Sequence, residues 1–196
     1  MLNLQGTNLY LIGMPGSGKS TIADRLATEL HYQVFDTDQL IEQITQQSIA
    51  QIFEESGEPV FRQLETRVLS ELAGYGRKLV ATGGGIVITP ENWGYLRTGV
   101  IIWLDVPLEV LKERLDADDS RPLLKTEDLK LRLQSLWEAR SPLYRQADLH
   151  IEIQSSDTPE MICDRILQQL TQACQEKLDQ DAAILKMNET APFQAR

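Results

Sequence analysis

A chain of 196 residues, 42% of them hydrophobic, has the length and apolar content for one domain around a single sizeable core. Its 29 acidic residues against 19 basic ones leave a net charge of −10, which argues against a nucleic-acid surface and means that any anionic ligand is met by local positive charge. No run approaches the roughly 20 apolar residues of a membrane span, and Met1-Leu2-Asn3-Leu4-Gln5 has no basic segment followed by an apolar signal core, so the chain reads as cytoplasmic.

The first strand-length apolar run is Leu9-Tyr10-Leu11-Ile12, and Gly13-Met14-Pro15-Gly16-Ser17-Gly18-Lys19-Ser20-Thr21 follows it directly. This is a full Gly-x-x-x-x-Gly-Lys-[Ser/Thr] pattern, and the amphipathic stretch Ile22, Leu26, Ala27, Leu30 after it supplies the helix that such a loop opens. Gly13, Gly16 and Gly18 allow positive φ, which turns N–H groups toward one point at the positive end of that helix. The pattern predicts a phosphate cradle in which Lys19 reaches the β- and γ-phosphates of a nucleotide and Ser20 holds Mg²⁺.

A second strand is expected at Gln33–Phe35, with Asp36-Thr37-Asp38 behind it. Alternation along extended backbone predicts that both carboxylates point the same way, into the crevice beside the cradle, although a pair of acids there serves equally well as a helix cap. From about Asp38 to Ala73 the pattern is a helical insertion. Ser48 is the expected N-cap of a helix over Ile49 to Glu55, Gly57 ends that helix, and Pro59 sits in the first turn of another running to about Ala73.

The third strand, Leu79–Thr82, runs into Gly83-Gly84-Gly85. Three glycines at a strand end cost backbone entropy, and a ligand approaching the main chain closely is the usual reason for them. Further strands are expected at Val100–Leu104 and Leu149–Ile153. Strands alternating with helices predict a parallel sheet covered on both faces, with ligands at the carboxyl ends of the strands. Asp116-Ala117-Asp118-Asp119-Ser120-Arg121-Pro122 is polar and turn-prone and reads as a mobile loop. Helices are expected from Thr126 to about Ala139 and from Thr158-Pro159-Glu160 onward, the latter with Ile162, Ile166, Leu167 and Leu170 on its apolar face. Beyond about Gln175 the pattern fades, and Gln180 to Arg196 reads as a frayed or disordered tail. Cys163 and Cys174 fall in that last helical pattern, about 16 Å apart at about 1.5 Å per residue, too far for a disulfide. His31 and His150 stand alone and support no metal site.

The cradle, Asp36-Thr37-Asp38, the string Gly57-Glu58-x-x-Phe61-Arg62-x-x-Glu65, Gly83-Gly84-Gly85, Arg121-Pro122-Leu123-Leu124 and Arg140-Ser141-Pro142-Leu143-Tyr144 occur in the order and spacing of the shikimate kinase family, which the chain resembles over roughly residues 5 to 172. The resemblance implies an α/β, nucleoside-monophosphate-kinase-like P-loop kinase fold: a five-stranded parallel sheet flanked by helices, a substrate-binding helical insertion at about 38–73 and a mobile lid at about 116–124. It also implies ATP and Mg²⁺ as cofactors and shikimate as the small-molecule substrate. Gly13, Pro15, Gly16, Ser17, Gly18, Lys19, Ser20 and Thr21 would surround the phosphates, with Ser20 and, through water, Asp36 on the metal. Arg62 and Arg140 would grip the substrate carboxylate, since guanidinium forks suit planar anions. Asp38 would accept hydrogen bonds from the ring hydroxyls, Gly83, Gly84 and Gly85 would line the pocket with N–H groups, and Phe53 and Phe61 would pack on the ring. Arg121 would swing over the phosphates, with Lys19, Asp38 and Arg121 the catalytic set. Arg114 and Pro159 match the family's adenine-flanking pair. A monomer without nucleic-acid or membrane partners is expected.

Taken singly these residues read differently. Arg62 with Glu65 could be a surface helix pair worth a few tenths of a kcal/mol, Arg121 a solvated loop charge, and Phe53 and Phe61 core. A kinase of the same fold acting on gluconate or a nucleotide is the nearest rival reading, and a catalytically silent ligand-binding relative is the other. Small departures from the family pattern, Met14-Pro15 in the cradle, Ala81-Thr82 before the glycines and an early Ala147-Asp148, touch no side chain assigned catalytic chemistry.

Overall fold

Five short strands, β1 (Leu9–Ile12), β2 (Gln33–Asp36), β3 (Lys78–Ala81), β4 (Val100–Asp105) and β5 (Leu149–Glu152), pair all-parallel in the order β2-β3-β1-β4-β5. The computed structural model describes Leu4, residues 6–116 and residues 129–190, the side chains of 177, 178 and 180–190 excepted. The central strands β1 and β3 are buried at every position, as strands covered on both faces must be. Helices α1 (Lys19–Leu30), α2 (Thr37–Thr45), α3 (Ile49–Glu55), α4 (Gly57–Ala73), α5 (Asn92–Leu96), α6 (Leu108–Asp116), α7 (Leu129–Tyr144) and α8 (Pro159–Thr190) fill the connections, with a 3₁₀ turn at Ile86–Ile88. Among the described residues no helix is long and apolar enough to cross a membrane.

The strand order explains where a ligand fits. The neighbouring strands β1 and β3 send their connections in opposite directions, to β2 and β4 respectively, which opens a crevice at their carboxyl ends. The cradle leaves β1 and the triple glycine leaves β3, so both expected ligand-binding loops meet there.

The helical insertion follows its sequence signals. Ser48 and Gln51 form a reciprocal capping box at α3, and Gly57, at φ 79°, turns the chain from α3 into α4 with Pro59 in its first turn. At the opposite end of α4, Lys78 Nζ donates to the carbonyls of Tyr75 and Leu72, and Asn8 Nδ2 also donates to Tyr75, tying the end of the insertion to the sheet.

Two helices exceed their expected ends. Helix α7 runs past Ala139 and through Pro142 to Tyr144; its last turn is held by the buried Tyr144, whose tertiary contacts outweigh the backbone bond that Pro142 forfeits. Helix α8 continues past Gln175 to Thr190, where good helix formers and side-chain pairs such as Gln172–Glu176 and Gln175–Asp179 favour helix. Both cysteines lie free on α8. Thr126, and the expected lid beyond Asp116, including Arg121, fall outside the described residues.

Candidate active site

The cradle wraps the N-terminus of α1. Gly13, Gly16 and Gly18 have φ of 144°, 78° and 87°, and at Gly13 a Cβ would lie 2.7 Å from the carbonyl oxygen of Leu104. Lys19, only 8% exposed, folds back into the loop and donates to the carbonyls of Met14 (2.9 Å) and Gly13 (3.1 Å) and to Ser17 Oγ (3.2 Å). For an ammonium, a phosphate oxygen is a stronger acceptor than these neutral loop oxygens.

Ser20, at the start of α1, donates to Asp36 Oδ2 at 2.6 Å. Asp36 also caps α2, its Oδ1 accepting from the N–H groups of Asp38 (2.9 Å) and Gln39 (3.2 Å). The cap reading of this acid therefore holds, and the residue also lines the cavity beside the cradle. The argument from strand alternation does not hold for Asp38, because the chain turns helical at Thr37; Asp38 reaches the same cavity from the first turn of α2.

The triple glycine is packed too tightly for side chains, and each position meets a different neighbour. A Cβ at Gly83 would lie 2.5 Å from Asp38 Oδ1 and 2.8 Å from Glu65 Oε1; at Gly84, 2.9 Å from Pro15 Cδ; at Gly85, 2.7 Å from Arg62 Nη2. The segment thus touches the cradle on one side and the acids and Arg62 on the other. Gly83 differs from the expectation that its N–H lines the pocket: that group donates to Thr37 Oγ1 at 2.8 Å, because Thr37 is wholly buried against it.

Arg62 and Glu65 are no surface pair. Glu65 is 1% exposed, and its Oε2 accepts from Arg62 Nη1, while Arg62 Nε and Nη2 donate to Glu58 Oε1 at 3.1 and 2.7 Å. Burial pushes the Glu65 carboxyl up to about 7, against the pull of Arg62, and the Asp38 carboxylate adds to the rise. Its other oxygen, Oε1, has no hydrogen-bond partner among the described residues. Phe61 packs on Phe53 with ring centroids 4.7 Å apart, and the Arg62 guanidinium lies 5.2 Å from the Phe61 ring centre.

On the opposite flank, Arg140 Nη1 donates to the Gly84 carbonyl at 3.1 Å and Tyr144 Oη donates to the same oxygen at 2.6 Å. Arg114 comes from the last turn of α6 and donates to the Gly16 carbonyl at 3.4 Å. Arg114 and Pro159 share the wall of a cavity of about 500 Å³ with the cradle, Asp36, Asp38 and Gly84. Asp157, also in that wall, takes a two-bond fork from Arg165 (3.0 and 3.1 Å), which fixes the turn leading into α8.

Gly16 to Thr21 of the cradle, Asp36, Asp38, Gly84, Arg114 and Pro159 therefore gather at one cavity, with Pro15 packed against Gly84; Arg62, Gly83, Gly85 and Arg140 join it through Asp38 and the glycine segment, and Phe61 and Phe53 pack beside Arg62. Glu65, Thr37 and Tyr144 belong to the same cluster but carried no role in the sequence reading. For Glu65 the available signal was its spacing from Arg62 on the apolar face of α4; for Thr37 and Tyr144 the partner is a backbone atom, which leaves no mark in a sequence.

Residues 15–171 match the family model described as "Shikimate kinase". The chain is 54% identical over 176 residues to the shikimate kinase of Rippkaea orientalis, covering 90% of this chain and 94% of that one, and 51% identical over 180 residues to that of Synechococcus elongatus, covering 92% and 95%. Among solved structures, shikimate kinase from Acinetobacter baumannii in complex with shikimate superimposes with a TM-score of 0.80 at 34% identity, over 90% of this chain and 97% of that one. With the family model spanning most of the chain and relatives above half identity along nearly their whole length, this protein belongs to the shikimate kinase family.

Proposed function

We propose that the protein transfers the γ-phosphoryl group of ATP to the 3-hydroxyl of shikimate, giving ADP and 3-phosphoshikimate on the route to chorismate and the aromatic amino acids, as a cytoplasmic monomer. The observation that carries this reading is the grouping of Arg62, Arg140 and Asp38 around the glycine segment that abuts the phosphate cradle. Two guanidinium groups and one carboxylate, converging from α4, α7 and α2, suit a small molecule that pairs a carboxylate with hydroxyls.

The hydroxyl oxygen attacks the γ-phosphorus while the bond to the β–γ bridging oxygen breaks, and the electron pair leaves on ADP. The hydroxyl proton faces Asp38. Lys19 exchanges its loop carbonyls for phosphate oxygens, and Arg121, from the expected lid, offsets charge on the transferring group. Ser20 and Asp36 are hard oxygen donors already 2.6 Å apart beside the cradle, a set that fits Mg²⁺. They would hold the ion, which when bound neutralises charge on the β- and γ-phosphates. Gly84 and Gly85 offer N–H groups to the substrate, since Thr37 takes that of Gly83. Phe53 and Phe61 pack on its ring, and Arg114 and Pro159 flank the adenine.

A coupled ADP-release assay with shikimate, gluconate and nucleoside monophosphates tests the assignment. Turnover confined to shikimate is the expected result, and turnover with gluconate or a nucleotide but not shikimate overturns it.

Two further outcomes follow from the carboxylate clamp. Arg140→Ala and Arg62→Ala should each weaken shikimate binding by about 2–5 kcal/mol, the range for breaking a buried charge pair. Arg62→Ala keeps its fold near neutral pH, because the orphaned Glu65, already near pH 7, takes up a proton. Unchanged shikimate affinity by calorimetry in both variants removes the clamp.

The second outcome concerns protons. A bound carboxylate near Arg62 competes for its charge and raises the Glu65 pKa beyond about 7, so the complex holds more proton than the free protein. Shikimate binding near pH 7 should therefore take up protons, and affinity should fall as pH rises from 7 toward the bound-state pKa. Calorimetry in buffers of different ionisation enthalpy measures this, and Glu65→Gln should abolish the uptake.

A further inference from the structure

Tyr144 is a fully buried tyrosine of the Arg140-x-Pro142-x-Tyr144 string for which the phosphoryl-transfer scheme above has no use. Its hydroxyl donates at 2.6 Å to the carbonyl oxygen of Gly84, the middle residue of a segment without side chains to anchor it. Three other ties hold that segment: Gly83 N–H to Thr37 Oγ1 at 2.8 Å, Ile86 N–H to the Gly83 carbonyl at 3.1 Å, and Ile88 N–H to the Gly85 carbonyl at 3.0 Å. None of them engages the Gly84 carbonyl or the Gly85 N–H. The Gly84 carbonyl and the Gly85 N–H belong to one planar trans unit and point in opposite directions, so whatever holds the carbonyl also aims the N–H. Arg140 Nη1 donates to the same oxygen at a longer 3.1 Å.

We propose that Tyr144 is a positioning residue for the acceptor substrate: its hydroxyl fixes the Gly84–Gly85 peptide so that the Gly85 N–H faces the substrate, and it satisfies the Gly84 carbonyl so that Arg140 is released to the substrate carboxylate. Three features support this. Burial pushes the Tyr144 hydroxyl up to about 12, so it remains a donor throughout the working pH range. The ring is held by stacking on Trp103 with centroids 5.9 Å apart, and Trp103 stacks in turn on His150 at 4.2 Å, so the hydroxyl has little freedom to leave. The hydroxyl and the guanidinium stand on one helix, α7, so the contact that orients the glycines also sets how far Arg140 must move to reach a ligand.

The inference rests on the proposed acceptor, and the experiment separates the two. Tyr144→Phe keeps the ring and its stacking and removes only the donor. Shikimate KM should rise by about threefold to tenfold, the scale of one lost hydrogen bond, with ATP KM unchanged and the melting temperature little altered. His150→Ala, which loosens the aromatic stack from its far end, should lower the melting temperature without moving shikimate KM. Amide exchange at Gly85, followed by NMR in the protein without substrate, should speed up in Tyr144→Phe and not in His150→Ala; this readout does not depend on which acceptor is used. An unchanged shikimate KM in Tyr144→Phe, an equal rise of KM in His150→Ala, or Gly85 exchange equal to that of the unaltered protein overturns the proposal. Failure of the unaltered protein to turn over shikimate overturns the acceptor assignment alone, and exchange at Gly85 then still decides whether Tyr144 sets the peptide.

Discussion

Lys19→Ala leaves a folded protein with turnover reduced by at least about 10²–10³, the loss that follows removal of one preorganised group from a site of developing charge. The reason lies in where the ammonium sits. Lys19 is held inside the cradle by Gly13, Met14 and Ser17, at the point where the proposed function brings the β- and γ-phosphates, so on that reading ATP meets it without a conformational search. The chain carries a net charge of −10, and a polyanionic nucleotide docking on it needs a cation fixed at the contact rather than an average attraction. The fold persists because the change removes hydrogen bonds to loop oxygens at the cavity wall, at a cost of about 1 kcal/mol, while the helical start of α1 tolerates alanine. Thermal melting establishes the folded state and ADP release the activity. Near-normal turnover in a folded Lys19→Ala protein overturns the whole nucleotide assignment.

The elements that hold this lysine were legible in the sequence because local signals and the global fold agree. Leu9–Ile12 is wholly buried and is a strand whether judged by its run length or by its central place in the sheet. Ser48 caps where a serine before an apolar run should cap. The signal ran out where tertiary contacts overrule local ones. The helical pattern is expected to end at about Ala139, yet α7 passes on through Pro142 because Tyr144 has a buried partner on the glycine segment. Asp38 reads as extended from its distance to Asp36, yet the cap that Asp36 itself supplies starts α2 in between.

The same limit applied to the site. Residues proposed to act through side-chain charge, such as Arg62, Arg140 and Lys19, could be singled out from spacing and family likeness. Glu65 could be named in a string but not valued, since only its burial beside Asp38 turns it from a helix-surface partner into a titratable neighbour of the clamp. Gly83 illustrates the converse: its glycine character was legible, but the occupant of its N–H, Thr37 Oγ1, is a contact between β3 and α2 that no local pattern encodes.

On the proposed mechanism Asp36 and Asp38 divide the chemistry between two acids two residues apart, and their substitution should separate the roles. Asp36 gives one oxygen to the first turn of α2 and the other to Ser20, which places it beside the hydroxyl proposed to hold Mg²⁺. Asp38 lies against Gly83, where an added Cβ would come within 2.5 Å of its Oδ1, and so faces the segment on which the acceptor rests. Asp38→Asn keeps shape and one acceptor but removes the charge, so kcat should fall by roughly 10²–10⁴, as for a lost general base, while ATP affinity changes little. Asp36→Asn should instead shift the Mg²⁺ concentration required for half-maximal rate and, by weakening the cap, lower stability by about 1 kcal/mol. Steady-state rates over a Mg²⁺ series, with melting curves for both variants, distinguish these outcomes. If Asp38→Asn moves the Mg²⁺ dependence and leaves shikimate turnover intact, the two acids hold each other's roles; the place of Asp38 beside Glu65 and Gly83, with Asp36 the acid bonded to Ser20, is the physical reason to expect otherwise.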